Sequence, residues 1–235
     1  MQSIAEAMAL AMSLVVTGDA GLFEIVGLSL QVSLTATLIA CLIGLPLGAT
    51  LATARFPGRG IVTVILNALM GLPPVVVGLL VYLHLSRAGP LGFLGLLYTP
   101  AAMIIAQSIL ITPIVAALSR QVIEDLHLEY ADQFRSLSLG RMQVVQALLW
   151  DGRYALLTVA LAGFGRAVAE VGAVMIVGGN IDHLTRVMTT AIALETSKGD
   201  LPLALALGMV LMVLALGVNA LVQSLRLTAA RQAYA

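Results

Sequence analysis

The stretch IVGLSLQVSLTATLIACLIGLPLGATLATA, residues 25–54, holds thirty consecutive residues without a charged side chain. At about 1.5 Å of rise per residue, a helix of this length extends roughly 45 Å, which exceeds the ~30 Å hydrocarbon core of a bilayer. In that core the backbone amides must be paired within the segment itself, as they are in a helix. The stretch therefore predicts a transmembrane helix, and with it an all-α integral membrane protein.

The composition of the whole chain agrees with this class. Of 235 residues, 60% are hydrophobic and 10% are charged, whereas about 25% of the residues in soluble domains are charged. Twelve basic residues balance twelve acidic ones, which argues against a nucleic-acid partner. Cys41 is the single cysteine and the three histidines lie far apart in the sequence. We therefore predict no disulfide, no metal site and no cofactor.

Charged residues, glycines and prolines divide the chain into five apolar segments, each long enough to cross the membrane. The predicted spans are 25–54, 61–86, 98–119, 154–177 and 201–225. Residues 1–24 form an N-terminal extracytoplasmic segment, and its apolar part after Glu6 is too short to span. It is expected to be an interfacial helix, with a short buried helix as the alternative. Asp200 is placed to cap the last span, and residues 226–235 form a tail.

The segment 120–153 carries nine charged residues among thirty-four and cannot lie in lipid. With the N-terminus outside, the side of the membrane that holds this segment collects eight basic residues and the other side collects three. The positive-inside rule then places segment 120–153 and the C-terminus in the cytoplasm.

The second predicted span contains LPPVVVG, residues 72–78, near its middle. Two adjacent prolines remove two backbone donors, so the helix must break or kink there. Broken backbone at membrane depth is tolerated only against protein or a water-filled cavity. Pro73, Pro74, Val77 and Gly78 are therefore candidates for lining a translocation path, and a kink that serves packing alone is the alternative.

Arg166 and Glu170 lie within the fourth predicted span, four residues apart on one helical face. Pairing reduces the cost of placing both charges inside the membrane. The pair either fixes helix packing or faces a central cavity, where Arg166 would offset the repulsion on a passing anion. Gly172, which follows closely, is included with them as a candidate path residue.

Apolar and polar residues interleave over residues 132–146, which suits two short helices that meet at Leu139–Gly140. A helical protrusion with an apolar face outside the bilayer needs a docking partner. The only lysine, Lys198, does not stand in a phosphate-binding loop. The chain is therefore not expected to be an enzyme, and ATP hydrolysis would belong to a separate subunit.

This protrusion resembles the coupling loop of ABC-transporter permeases, whose pattern is Glu-Ala-Ala, three residues, Gly, nine residues, and then Ile-x-Leu-Pro. On that spacing, Asp132-Gln133-Phe134 aligns with the first triplet, and Ser138 stands where the pattern has glycine. Trp150-Asp151 replaces Leu-Pro. The resemblance implies that the ATPase is contacted by Asp132, Gln133, Phe134, Ser138, Leu139, Gly140 and Arg141.

A wider resemblance covers residues 18–225. The segments 72–78, 165–173 and 178–181 are similar to those of the molybdate, sulfate and tungstate oxyanion permeases, and 172–181 with 189–200 resembles the tungstate branch. This implies the type I ABC importer permease fold, with five transmembrane helices and a cytoplasmic coupling-helix loop.

The resemblance also implies an importer in the cytoplasmic (inner) membrane of a prokaryote. A homodimer of this chain would work with cytoplasmic ABC ATPase subunits, an extracytoplasmic oxyanion-binding protein and the surrounding membrane lipid.

Four alternatives to a tungstate importer stay open: a molybdate or sulfate permease of the same fold, an importer of another cargo with the same fold, an ion-coupled secondary carrier, and a membrane anchor that transports nothing. A secondary carrier is expected to show matching broken helices in two inverted halves. Pro73-Pro74 in span two has no proline counterpart in span four, which argues against a carrier.

Overall fold

A computed structural model describes residues 4–54 and 56–233, with side chains at 5–54 and 56–224. Over these ranges the chain consists of helices joined by short turns, without a strand. A 3₁₀ turn, Gly92–Leu94, precedes the fifth α-helix. The α-helices are α1 (Ile4–Thr17), α2 (Ala20–Thr53), α3 (Arg59–Leu69), α4 (Pro74–Leu85), α5 (Pro100–Glu129), α6 (Ala131–Ser136), α7 (Arg141–Asp151), α8 (Arg153–Val168), α9 (Gly172–Gly178), α10 (Met188–Lys198) and α11 (Leu201–Ala233).

Three helices in the described part of the chain are long and apolar enough to cross a membrane by themselves: α2, α5 and α11. The count rises to five when two bent pairs, α3 with α4 and α7 with α8, are each taken as one span. The chain is thus an all-α, multi-pass membrane protein, as the sequence predicts.

Several helices extend beyond the spans predicted from apolar residues. Helix α2 begins at Ala20 rather than residue 25, and α5 continues through the charged residues to Glu129. Helix α11 passes Leu225, the predicted end of the last span, and ends at Ala233. Arg, Glu and Lys have high helix propensity, so a helix need not stop where it leaves the lipid. The side chains of Arg226 and Arg231, and residue Arg55, lie outside the described residues.

The fourth predicted span, 154–177, is wrong as a continuous helix. Helix α8 ends at Val168, residues 169–171 are not helical, and α9 begins at Gly172. The second span is interrupted between Leu69 and Pro74, as the prolines predict. Both spans are therefore broken, and the argument against a carrier from an unmatched break fails.

The chain divides into two compact units. The first unit comprises residues 1–36, 73–107 and 165–219. Its apolar core joins α1, α2, α10 and α11 through buried residues that include Leu22 and Leu207. Asp19 caps α2, since its Oδ1 accepts a hydrogen bond from the Leu22 amide at 2.9 Å. Ala7 and Ala11 of α1 are fully buried, so this helix packs on protein along one face.

The second unit comprises residues 37–72, 108–164 and 220–235. Here α2 and α5 cross at close range, and the Ser119 hydroxyl donates to the Gly44 carbonyl at 3.3 Å. A Cβ atom on Gly48 would lie 2.0 Å from Ser119 Oγ and 2.5 Å from the Ala116 carbonyl oxygen. Only glycine fits at residue 48, because part of the obstacle is backbone.

Arg59, the first residue of α3, ties together one end of this unit. Its guanidinium donates to the carbonyls of Leu51 and Ala52 at 2.8 and 3.2 Å, which lack intrahelical partners near the end of α2. It also pairs with Glu124 of α5 at 2.8 Å, and Arg120 pairs with the second oxygen of Glu124. One carboxylate thus forms ion pairs with two basic side chains.

We predict that Gly48→Ala lowers the unfolding temperature of the purified protein in detergent. Overpacking costs about 1–3 kcal/mol, which exceeds the gain of up to ~1 kcal/mol from the higher helix propensity of alanine. Gly208→Ala in α11 is the matched control, because a Cβ there meets no atom within 4 Å. Equal unfolding temperatures for the two variants would contradict the close α2–α5 crossing.

Candidate functional site

The α8–α9 break in the first unit is built around an ion pair. Arg166 Nη1 lies 2.5 Å from Glu170 Oε2, so the pairing predicted from their spacing is confirmed. The carboxylate side chain is 3% exposed, while the guanidinium side chain is 37% exposed. A buried carboxylate needs such a partner, because the desolvation of an unpaired charge costs several kcal/mol.

Glu170 also organises the backbone at the break. Its Oε1 accepts a hydrogen bond from the Ala173 amide at 3.2 Å, so it satisfies one of the free amides at the start of α9. Its carbonyl accepts from the Thr189 hydroxyl at 2.7 Å. The Ala167 carbonyl accepts from the Gln107 side-chain amide at 3.1 Å. Three side chains therefore replace hydrogen bonds that an unbroken helix would make.

Helix α4 packs directly against α9. A Cβ on Gly78 would lie 2.8 Å from Ala173 Cα, and a Cβ on Gly172 would lie 2.9 Å from a Val75 methyl carbon. Val77 is buried in the same contact region. The two short helices thus touch through glycine, as small residues permit within membranes.

The break before α4 has the geometry that its prolines predict. Pro73 is extended, with φ −66° and ψ 120°, and Pro74 is the first residue of the helix, where a missing amide proton is tolerated. The Pro73 carbonyl accepts from the amides of Val76 and Val77 at 3.0 and 3.2 Å. The structure gathers all seven candidate path residues in the first unit: Pro73, Pro74, Val77, Gly78, Arg166, Glu170 and Gly172.

The sequence interpretation missed Gln107 and Thr189. Both are buried polar residues. Gln107 could have been singled out from the sequence, because it is a polar residue inside a charge-free apolar span. The Gln107 Oε1 atom is buried without a hydrogen-bond partner.

The GGNI motif at 178–181 proves to be a turn that ends α9. Gly179 has φ +70°, and the Gly178 carbonyl accepts from the Thr185 hydroxyl at 2.6 Å. The Tyr98 amide donates to the Val177 carbonyl at 3.0 Å. The left-handed backbone conformation of Gly179 therefore explains why the motif contains glycine at this position.

The loop between α9 and α10 carries charged side chains. His183 Nδ1 lies 2.9 Å from Glu24 Oε2, and Arg186 pairs with Asp182 at 2.8 Å. The hydrogen bond to Glu24, with the nearby charges of Glu24 and Asp182, raises the pKa of His183 above its ordinary value of 6.5. Among the described residues, no group of three His, Cys, Asp or Glu side chains is arranged to hold a metal ion.

The segment 120–153, which we call the coupling segment, lies in the second unit. It contains α6 and α7, so two short helices are present where the pattern predicts them. Ser138 has φ +50°, the left-handed conformation that favours glycine. Its amide donates to the Arg135 carbonyl at 3.1 Å, and the Leu139 amide donates to the Phe134 carbonyl at 3.3 Å. These are the two bonds of a Schellman turn, so Ser138 adopts a glycine conformation where the family pattern has glycine.

The inner face of the coupling segment is fixed by packing. Phe134 and Leu139 pack against a buried cluster that includes Ile123 and Leu148. Phe134 also contacts the Tyr130 ring, with centroids 5.9 Å apart. A hydrogen bond from Tyr130 to Asp151 raises the pKa of the Tyr130 phenol. Gly140 directly precedes α7 and caps it, since its amide donates to Gln143 Oε1 at 2.9 Å.

The outer face of the coupling segment is exposed and mixes charges with apolar side chains. Leu137 is 67% and Met142 is 70% exposed, so two large apolar side chains stand on this face. A cleft of about 410 Å³ opens beside them, lined by residues that include His127, Arg135 and Arg141. The predicted contact residues on this face are Asp132, Gln133, Ser138, Gly140 and Arg141.

Comparison with known proteins decides the family. The model of the family described as "binding-protein-dependent transport system inner membrane component" matches residues 44–227. The chain belongs to this family. The permease is 42% identical to the tungstate uptake system permease protein TupB of Peptoclostridium acidaminophilum, over 96% of this chain and 99% of that protein.

Two further relatives extend the comparison. The permease is 40% identical to TupB of Campylobacter jejuni, over 74% of this chain and 73% of that one. It is 29% identical to the molybdenum transport system permease protein ModB of Azotobacter vinelandii, over 70% and 76% of the two chains. The resemblance to oxyanion permeases and the fold class are therefore confirmed, and the chain is a transport subunit.

We predict that Glu170→Gln destabilises the permease more than the double variant Arg166→Gln/Glu170→Gln does. The single variant leaves a partly buried guanidinium without a counterion, at a cost of roughly 1–3 kcal/mol, and the double variant removes both charges. Unfolding temperatures of the wild type, both single variants and the double variant measure the coupling directly. Strictly additive effects would show that the pair contributes no interaction energy.

For the coupling segment we predict that Ser138→Gly stabilises the α6–α7 turn by about 0.5–1 kcal/mol. The relief of left-handed strain, about 1–2 kcal/mol, is partly offset by the higher chain entropy of glycine. Amide hydrogen exchange over residues 131–151 should slow. Ser136→Gly, within α6, should accelerate exchange because glycine weakens a helix. Faster exchange in both variants would refute the strain at Ser138.

Proposed function

We propose that the permease is the membrane subunit of an ATP-driven importer whose cargo is tungstate. Two relatives named for tungstate uptake are 42% and 40% identical to it, and a relative named for molybdenum transport is 29% identical. This difference supports tungstate over molybdate as the cargo. Molybdate transport by the same fold is the second candidate, supported by the ModB similarity.

The assembly that we propose contains two copies of the permease, cytoplasmic ABC ATPase subunits and an extracytoplasmic binding protein. The family description supports dependence on a binding protein. The chain has no phosphate-binding loop around its only lysine, which supports a separate ATPase. The charge asymmetry of the loops supports a cytoplasmic coupling segment and C-terminus, and an extracytoplasmic N-terminus, in the cytoplasmic membrane of a prokaryote.

In this proposal the α8–α9 break contributes to a neutral wall of the path. Arg166 is the more exposed member of the pair, and Glu170 cancels its charge at 2.5 Å. A dianion that passes this wall meets a polar surface that binds it only weakly. Weak binding allows the dianion to be released. Selection among oxyanions then belongs mainly to the binding protein.

The coupling segment receives the motion of the ATPase. Its exposed Leu137 and Met142 suit insertion into an apolar pocket of the partner, as helices docked in grooves do. Its inner residues Phe134 and Leu139 pack on the cluster that contains Ile123 of α5. Displacement of the segment therefore moves the second unit rather than bending a loose loop.

Reconstitution tests the function. We expect proteoliposomes that contain the permease, its cognate ATPase and the binding protein to accumulate tungstate only under one condition. ATP must be present on the side of the membrane where the ATPase lies. Excess molybdate should compete more weakly than excess tungstate. Uptake at an unchanged rate without ATP would overturn the ABC mechanism, and faster molybdate uptake would reassign the cargo.

A matched pair of variants tests the docking face. Leu137→Glu should lower uptake about tenfold or more, because a carboxylate buried in an apolar pocket without a partner costs several kcal/mol. Leu128→Glu in α5 is the control, since Leu128 is 71% exposed but lies outside α6 and α7. Equal uptake by both variants, at equal membrane content, would place the docking surface elsewhere.

A further inference from the structure

An apolar groove of about 540 Å³ lies in the second unit, between α2 and the α7–α8 region. Its wall on α2 includes Leu38, Leu42 and Pro46, and Arg153 stands at the first residue of α8. Leu38 and Leu42 are 61% and 68% exposed, so the groove opens on the surface of the unit. We call it the α2–α8 groove.

Arg153 gives this groove a positive charge that no acidic side chain of the described residues pairs with. None of the ion pairs among the described residues includes it. Its guanidinium instead lies 5.1 Å from the centre of the Trp150 ring and 4.8 Å from that of Tyr154. One nitrogen donates to the Trp150 carbonyl at 2.8 Å. The charge is held in place and remains available to an anion.

The position of these residues, at the end of α7 and the start of α8, matches the edge of a lipid leaflet. Trp and Tyr concentrate at membrane–water interfaces, and Trp150 and Tyr154 flank Arg153 in the sequence. From Arg153 to Ala160, the innermost groove residue on α8, the helix rises about 10 Å, which is less than the roughly 15 Å half-thickness of the hydrocarbon core. The groove therefore begins at the interface and descends within one leaflet.

We propose that the α2–α8 groove binds an anionic phospholipid, with the phosphate on Arg153 and an acyl chain along Leu38, Leu42 and Leu157. The combination of one fixed cation with an apolar trough is complementary to a molecule that has an anionic head and a hydrocarbon tail. A zwitterionic lipid would compensate the cation less, because its head group carries a positive charge as well. This site is separate from the residues assigned above to the path and to coupling.

The chain supplies its own probe, since Trp150 is its single tryptophan. The permease is reconstituted in phosphatidylcholine vesicles, and part of the lipid is replaced stepwise by phosphatidylglycerol or phosphatidylcholine with brominated chains, which quench tryptophan fluorescence on contact. Brominated phosphatidylglycerol should quench Trp150 with an apparent affinity about fivefold higher than that of brominated phosphatidylcholine. This ratio corresponds to the free energy of roughly one charge contact between an arginine and an anionic lipid.

Arg153→Gln should abolish this preference, so that both brominated lipids quench alike. Arg87→Gln, which removes an exposed arginine outside the groove, should preserve it. Ala160→Leu fills the inner end of the groove while it retains Arg153, and should weaken quenching by both lipids.

Three outcomes would overturn the proposal. Equal quenching by the two lipids in the wild-type permease would exclude selection for an anionic head group. A preference that survives Arg153→Gln would assign it to another surface. Quenching by neither lipid would mean that protein, such as a second copy of the chain, covers the groove.

Discussion

The absence of water from the bilayer core is the constraint on which this structure depends, because every backbone amide and carbonyl there must find a partner in protein. A continuous helix meets it automatically. The α8–α9 break does not, and Glu170, Gln107 and Thr189 supply the missing partners. The buried charge of Glu170 then requires Arg166. The polar cluster in the first unit thus follows from interrupting one helix.

The need to satisfy the backbone at the α8–α9 break explains why the candidate path residues lie next to residues that pack helices together. Gly78 and Gly172 allow α4 and α9 to touch, and the same contact buries the end of the break against protein. A ligand pathway bordered by such a cluster presents neutralised charge and fixed dipoles. We propose that this composition suits passage better than tight retention, and that selection belongs to the binding protein.

The sequence predicts the features that depend on residues close to one another in the chain. Charge-free intervals locate α2, α5 and α11, and Pro73-Pro74 locates the break before α4. The alternation over 132–146 locates α6 and α7. The break at 169–171 could not be found in this way, because no proline marks it and its hydrogen-bond partners include Gln107, 60 residues from Ala167 in the chain. The continuation of α5 to Glu129 was missed because hydropathy reports where lipid ends rather than where a helix ends.

The glycine crossing of α2 and α5 has a mechanical consequence. With the place of a Cβ on Gly48 only 2.0 Å from Ser119 Oγ and 2.5 Å from the Ala116 carbonyl oxygen, neither helix can slide along the other without collision. Close-packed interfaces of this kind switch between discrete arrangements rather than deforming continuously. Within the second unit, a force applied to α5 is therefore transmitted to α2 with little deformation of the contact between them.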